Sequence, residues 1–200
     1  MRNPIDHLTH GLPRGWRLLI DWLVTIAGAI LIVIAIKMWV VNPYRIPSSS
    51  MEPTLHCARP GSGCEASFSD RVLACRICFD LFGPKRGDIV VFKTPPLAKI
   101  RCGEGGTFVK RLIGLPGETW KEVDGDIFID GKKLNEPYIK PGWRDVSSYP
   151  AHKIPAGHYF FMGDNRASSC DSRQWGTVPR HDLIGKVVAT YWPPNRIKIW

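Results

Sequence analysis

One long apolar run dominates the hydropathy pattern of this chain. From Trp16 it reads WRLLIDWLVTIAGAILIVIAIKMWVV, and between Leu18 and Val41 charges occur only at Asp21 and Lys37, near the ends. As a helix that stretch is about 36 Å long, enough to cross the hydrocarbon of a bilayer. After Val41 the period shortens. GDIVVFK, TFVKRLIG, DIFIDGK, HYFFMGD and IGKVVATYW are brief apolar or alternating runs set between turn residues. They predict strands of antiparallel sheets or an open barrel. Asp130-Gly131 in DIFIDGKKL supplies the positive-φ pair of a tight hairpin. The expected class is therefore mainly β, preceded by one N-terminal transmembrane helix.

The pattern divides the chain into a short tail at 1–17, a span at 18–41 and one domain at 42–200, near the usual size for a single core. Two stretches interrupt the strand pattern. His56 to Phe79, a cysteine-bearing insertion spanning 56–79, holds four of the six cysteines, and Pro137 to Pro155 is polar and loop-like. Both are expected to cover a sheet edge, to rim a site, or to be plain surface loops.

Charge sets the topology. Arg2, Arg14 and Arg17 precede the span, against Asp6, while Lys37 sits at its edge and Arg45 follows. The positive-inside rule puts the N-terminus in the cytoplasm and everything after Asn42 outside. Lys37 and Trp39 are expected at the membrane–water boundary. A cleaved secretory signal is the alternative, with AGA at Ala27 to Ala29 as a cleavage site, but the apolar run exceeds a signal core of about 7 to 15 residues. The exported part has net charge +7, which suits anionic phospholipid head groups. Nucleic acid is not expected as a partner, because the cations are scattered and lie across the membrane.

An exported domain with six cysteines implies disulfides. Cys57 and Cys64 flank the turn-rich ARPGSG and form the expected pair. Cys75 and Cys78 in CRIC form a second pair or remain thiols, and Cys102 and Cys170 have no obvious local partner. A zinc site on Cys57, Cys64, Cys75 and Cys78 is the alternative, against which the first spacing is too wide.

Candidate chemistry centres on YRIPSSSMEPTL, Tyr44 to Leu55. A serine nucleophile needs a base. His56, His152, His158 or His181 with Asp164 or Asp171 could complete a triad, but no nucleophile elbow is present. Lysine is the other option if burial lowers its pKa. In TFVKRLIG, Lys110 shares a strand face with Phe108 and Leu112, and Arg111 takes the opposite face. Either desolvation between apolar neighbours or snorkelling at the sheet edge fits that pattern.

Four stretches together resemble the type I signal peptidases, membrane-anchored serine proteases with a Ser-Lys dyad. They are IPSSSMEPTL (46–55), RGDIVVFK (86–93), FVKRLIGLPGE (108–118) and GDNRASSCDSRQWGTVP (163–179), in the family's order directly after the anchor. The resemblance implies Ser50 as nucleophile, Lys110 as general base, and an oxyanion hole made by the Ser48 hydroxyl with the Ser50 N–H. It implies that Ser169 orients the lysine, that Asp164, Asp171 and Arg173 hold the framework, and that Met51 packs in the substrate region. Ser168 and Ser49 are expected as spectators, Arg111 as structural, and Glu52 in a variable slot. In an extended segment Ser48 and Ser50 would point the same way. Cys170 follows Ser169 directly, so its oxidation is expected to disturb the lysine.

The implied activity is removal of signal peptides from exported preproteins after small side chains, at the outer face of a cell membrane, with no metal, nucleotide or other cofactor. The rate is expected to climb with pH through a value well below that of free lysine. Three alternatives remain: a Ser-Lys peptidase dedicated to a pilus or conjugation substrate, an inactive anchored β domain that binds exported chains, and a self-cleaving regulator like the SOS-repressor autoproteases. The last lacks support because no DNA-binding region is evident.

Overall fold

The structure, a computed structural model, describes residue 11 and residues 13–200, with 36–39 described in backbone only. Arg2 and Asp6, and the side chains of Lys37 and Trp39, which enter the topology argument, lie outside the described residues. The chain forms two compact units divided between Val40 and Val41.

The first unit is dominated by helix α1, Arg14–Trp39. It begins before the apolar span proper, because Arg14 and Trp16 continue the helical backbone ahead of Leu18. Within it Arg14–Ala35 is long and apolar enough to cross a membrane, by length and composition. Its side chains stand free, with Leu23 and Leu31 each 66% exposed. A surface of that kind needs an apolar solvent or partner to cover it.

The second unit is built on two antiparallel sheets. The larger follows the order β1 (Val41–Arg45), β2 (Arg71–Cys75), β11 (Leu183–Trp192), β3 (Ile89–Lys93), β4 (Thr107–Gly114), β9 (His158–Met162) and β10 (Val178–Pro179), with β12 (Lys198–Ile199) paired to β11. The smaller runs β7 (Lys132–Lys133), β6 (Asp126–Ile129), β5 (Thr119–Val123) and β8 (Tyr149–Lys153). β6 and β7 form the hairpin read from DIFIDGKKL, with Asp130 at φ 48° and Gly131 at φ 78°.

β3 shows why alternation is weak in the centre of the large sheet: it is covered on both faces. Val90 and Phe92 pack with Phe161, Trp175 and Leu112, while Ile89 and Val91 pack with Ile46, Met51 and Leu55. Phe92 and Phe161 stack at 4.5 Å. A third cluster, with Ile113, Phe160 and Met162 against Trp120 and Ile127, joins the sheets. Met51 and Leu55, which flank the candidate nucleophile's turn, are thus core residues.

The 56–79 stretch is not a cover throughout. Its Arg71–Cys75 is strand β2, lying between β1 and β11 with Val72 and Ala74 buried. Between the two cysteine pairs, RVLAC offers only five residues of strand signal, too short to stand out from the turn-rich sequence before it.

Candidate active site

After β1 the chain runs extended to Ser48, at φ −126° and ψ 157°, then tightens into a 3-10 turn at Ser49–Met51. The two hydroxyls meet there: Ser48 Oγ and Ser50 Oγ lie 3.3 Å apart. The reason differs from the strand alternation expected of an extended segment, since the turn, not a pleat, brings Ser50 back toward Ser48. Met51 and Leu55, 1% and 0% exposed, root the turn in the core. Ser49 faces away, its hydroxyl packed against Gly63. Glu52 is no spare position: it is fully buried, pairs with His56, and accepts the Cys57 N–H at 3.1 Å.

Lys110 comes from β4, opposite Val90 of β3, and is 3% exposed. Its Nζ donates to Ser169 Oγ at 3.1 Å. Ser169 in turn donates to Asp171 Oδ2 at 2.8 Å and accepts the Gly163 N–H at 3.2 Å. A serine hydroxyl has one hydrogen and two lone pairs, so Ser169 is fully engaged. A neutral Lys110 amine held this way keeps its own lone pair for another proton. Ser50, Ser48 and Lys110 line one cleft of about 550 Å³, together with Ile46, Met51 and Phe108. The hydrogen bond that Lys110 makes here goes to Ser169, not to Ser50, as is common before substrate tightens a site.

Burial pulls the Lys110 ammonium down to about 8, against the field of Asp171, which favours the charged form, and with that of Arg173, which disfavours it. For Asp171 burial alone would raise the pKa; the charge and hydrogen bonds of Arg173, then Lys110, outweigh it and hold the carboxyl below its usual range. The stability consequence has a definite sign. A lysine favoured as neutral in the fold destabilises it on protonation, so stability is expected to fall as pH drops from about 10.5 toward about 8. Lys110→Met removes that dependence and raises stability at neutral pH by about 3 kcal/mol at most; denaturant melts on either side of the window measure it.

The frame around Ser50 and Lys110 comes from the turn after β9. Arg111, on the face opposite Lys110, grips Asp164 with Nε to Oδ1 at 2.8 Å and Nη2 to Oδ2 at 2.6 Å, and its guanidinium lies 4.0 Å from the Tyr138 ring. Asn165 donates its N–H to the Ser50 carbonyl at 3.1 Å and its side-chain amide to the Ser49 carbonyl at 3.3 Å. Arg166, 1% exposed, pairs with buried Glu136 and bonds the Gly163 carbonyl at 3.0 Å. Arg173 bonds Asp171 from Nε at 2.8 Å and Nη2 at 3.0 Å. Asp164→Asn would leave Arg111 buried against a neutral partner, and is expected to cost about 3–5 kcal/mol in a urea titration.

The sequence reading did not single out Asn165, Arg166 or Glu136. Asn165 sits within the quoted GDNR stretch, whereas Glu136 reads as an ordinary surface acid. None of the four histidines of the β domain lines the serine cleft. His56 pairs with Glu52, His152 lies 5.5 Å from the Trp120 ring, His158 bonds Thr177 at 3.1 Å, and His181 is exposed.

The cysteines pair as Cys57–Cys64, Cys75–Cys78 and Cys102–Cys170. That removes the thiolates a zinc site would need, and it gives Cys102 and Cys170, which have no local partner, a distant one in each other: 68 residues apart in sequence, they meet beside the cleft. With Cys170 oxidised in this disulfide, Lys110 bonds Ser169; activity under reductant and in Cys170→Ser measures what that oxidation does to the lysine.

Comparison with known proteins fits this geometry. The model of the family described as signal peptidase, peptidase S26, matches residues 19–192. A probable signal peptidase I-2 of Synechocystis sp. is 37% identical over 173 residues, which are 86% of this chain and 73% of that protein. A signal peptidase I of Leptolyngbya laminosa is 36% identical, over 90% of this chain and 82% of that protein. A signal peptidase IB of Staphylococcus aureus is 30% identical, over 90% of this chain and 93% of that protein. With a family match across most of its length and relatives at these identities, the chain belongs to the signal peptidase family, peptidase S26.

Proposed function

We propose that this chain is a membrane-bound serine endopeptidase that cuts signal peptides from exported preproteins, with Ser50 as nucleophile and Lys110 as base. The observation that carries the residue assignment is the shared cleft, in which a serine hydroxyl pair faces a buried lysine held by Ser169. Neutral Lys110 takes the Ser50 proton as Oγ attacks the scissile carbonyl. The oxyanion that forms is met by the Ser48 hydroxyl and the Ser50 N–H. Protonated Lys110 then gives its proton to the leaving amine. That amine is the new N-terminus of the mature protein, which departs; Lys110 next deprotonates a water that attacks the acyl ester, and Ser50 regains its hydrogen as the signal peptide leaves.

Because the base must be neutral, the rate is expected to rise with pH through about 8. Helix α1 would span the membrane with its N-terminus in the cytoplasm, as Arg14 and Arg17 ahead of the apolar stretch favour, and the β domain would work on the outer face against phospholipid. The apolar walls at Ile46, Met51, Phe108 and Val109 suit a small side chain before the cut. The test is cleavage of a purified preprotein in detergent, with N-terminal sequencing of the product. The cut should follow a small residue, and replacing that residue by phenylalanine should slow it by roughly a hundredfold. Cleavage indifferent to that residue would sink the reading.

A further inference from the structure

Arg173 is a hub whose outer side faces the smaller sheet. Its five N–H donors have five acceptors: Asp171 Oδ1 and Oδ2, the Arg166 carbonyl at 3.0 Å, Glu122 Oε1 at 3.4 Å, and Asp145 Oδ2. Glu122 and Asp145 therefore meet on one nitrogen, Nη1. Glu122 belongs to β5 and is 1% exposed, and Asp145 belongs to the polar 137–155 stretch. Each has one buried oxygen without a partner, Glu122 Oε2 and Asp145 Oδ1. Three carboxylates thus share one guanidinium in a buried place, two of them with an oxygen left over.

A single proton resolves both anomalies. Carried by Glu122, it gives the acid an O–H for the neighbouring carboxylate, and it lowers the excess negative charge facing Arg173. Burial pushes the Glu122 carboxyl up, to about 8, with Asp145 raising it further while Arg173 and Arg166 oppose. Those are the charged groups that face it, and Tyr149 and Ile127 are its cross-strand neighbours on β8 and β6. We propose that Glu122 and Asp145 hold one proton between them, and that this acid–carboxylate pair is a positioning element for Lys110, acting through Arg173, Asp171 and Ser169. Ionising Glu122 adds a third anion in competition for the guanidinium that steadies Asp171. Asp171 in turn accepts from the serine to which Lys110 bonds. The positioning role rests on Lys110 as the base; the shared proton does not.

The experiment uses the full chain in a detergent without ester groups. Infrared spectra of the wild type should contain a carboxylic-acid carbonyl band at neutral pH that fades as pH rises through about 8. The band should be lost in Glu122→Gln, and lost as well in Asp145→Asn, whose amide can donate to an ionised Glu122. Absence of the band in wild type at neutral pH, or its persistence in Glu122→Gln, overturns the shared proton whatever the identity of the base. On a preprotein substrate the wild-type rate should climb as Lys110 becomes neutral and then decline at alkaline pH as Glu122 ionises; Glu122→Ala should lower kcat about tenfold with KM little changed, and Glu122→Gln should recover most of that loss and lack the alkaline decline. A glutamine variant as slow as the alanine one, or with the wild-type alkaline decline, overturns the positioning role. Failure of the dyad assignment itself is read separately, as cleavage surviving in Ser50→Ala.

Discussion

Ser50→Ala is expected to reduce preprotein cleavage by roughly 10⁴-fold or more, to background, while Ser49→Ala stays within a few-fold of wild type. The two serines are neighbours in one 3-10 turn, so composition and exposure do not separate them: both are less than a tenth exposed. Direction separates them. Ser50 Oγ faces Ser48 Oγ at 3.3 Å in the cleft that Lys110 lines, whereas Ser49 Oγ packs against Gly63 in the disulfide-closed loop. Lys110→Met should match Ser50→Ala, because a serine without a base is a poor nucleophile at neutral pH. The double variant should be no slower than either single one, since the two groups act as a unit. Full activity in Ser50→Ala, or loss in Ser49→Ala alone, would refute the assignment. Retained secondary structure by circular dichroism keeps the comparison about chemistry, and Lys110→Met, expected to be the more stable protein at neutral pH, cannot be dismissed as a folding failure.

The parts of this protein legible in its sequence are those governed by local pattern. The apolar run, the strands β3, β4, β9 and β11 and the Asp130-Gly131 hairpin each rest on a few consecutive residues. The pairing of Ser48 with Ser50 was legible as an outcome, but through the wrong geometry, because a proline-flanked serine run reads as extended and gives no sign of the 3-10 turn. What could not be read depends on distant partners. Cys102 and Cys170 are 68 positions apart, and the Arg173–Glu122 contact spans 51. Glu52 and Glu136 look like surface acids because nothing nearby in sequence announces His56 pairing or a buried Arg166. Strand β2 was hidden for the opposite reason: its neighbours carry strong turn and cysteine signals that mask five ordinary strand residues. In each case the deciding energy is long-range, an ion pair buried or a strand completed, and local propensity carries no trace of it.

Gly163→Ala should be the most damaging change after loss of the nucleophile or the base, with kcat down by roughly 10²-fold or more and the fold weakened by about 1–3 kcal/mol. Gly163 follows Met162, the last residue of β9 paired to β4, across from Arg111. One further step of that antiparallel register sets Gly163 beside Lys110. A Cβ there would lie 2.3 Å from Ser169 Oγ, 2.6 Å from Ser169 Cβ and 2.4 Å from the Ser50 carbonyl oxygen. Two of these three contacts cannot be relieved by swinging a side-chain tip, since one is backbone and another is the root of the Ser169 side chain. Either Ser169 leaves Lys110, or the Ser50 turn leaves the cleft together with the Asn165 N–H that holds its carbonyl. The glycine is therefore required by close approach of the Ser50 turn and the Ser169 loop, not by its own backbone angle. Moving Ser169 should free Lys110 from its tether and shift the rising limb of the pH profile. Moving the Ser50 turn should instead lower kcat at every pH with the limb in place. Wild-type kcat in Gly163→Ala would show that the packing between Ser50 and Ser169 is looser than these distances require.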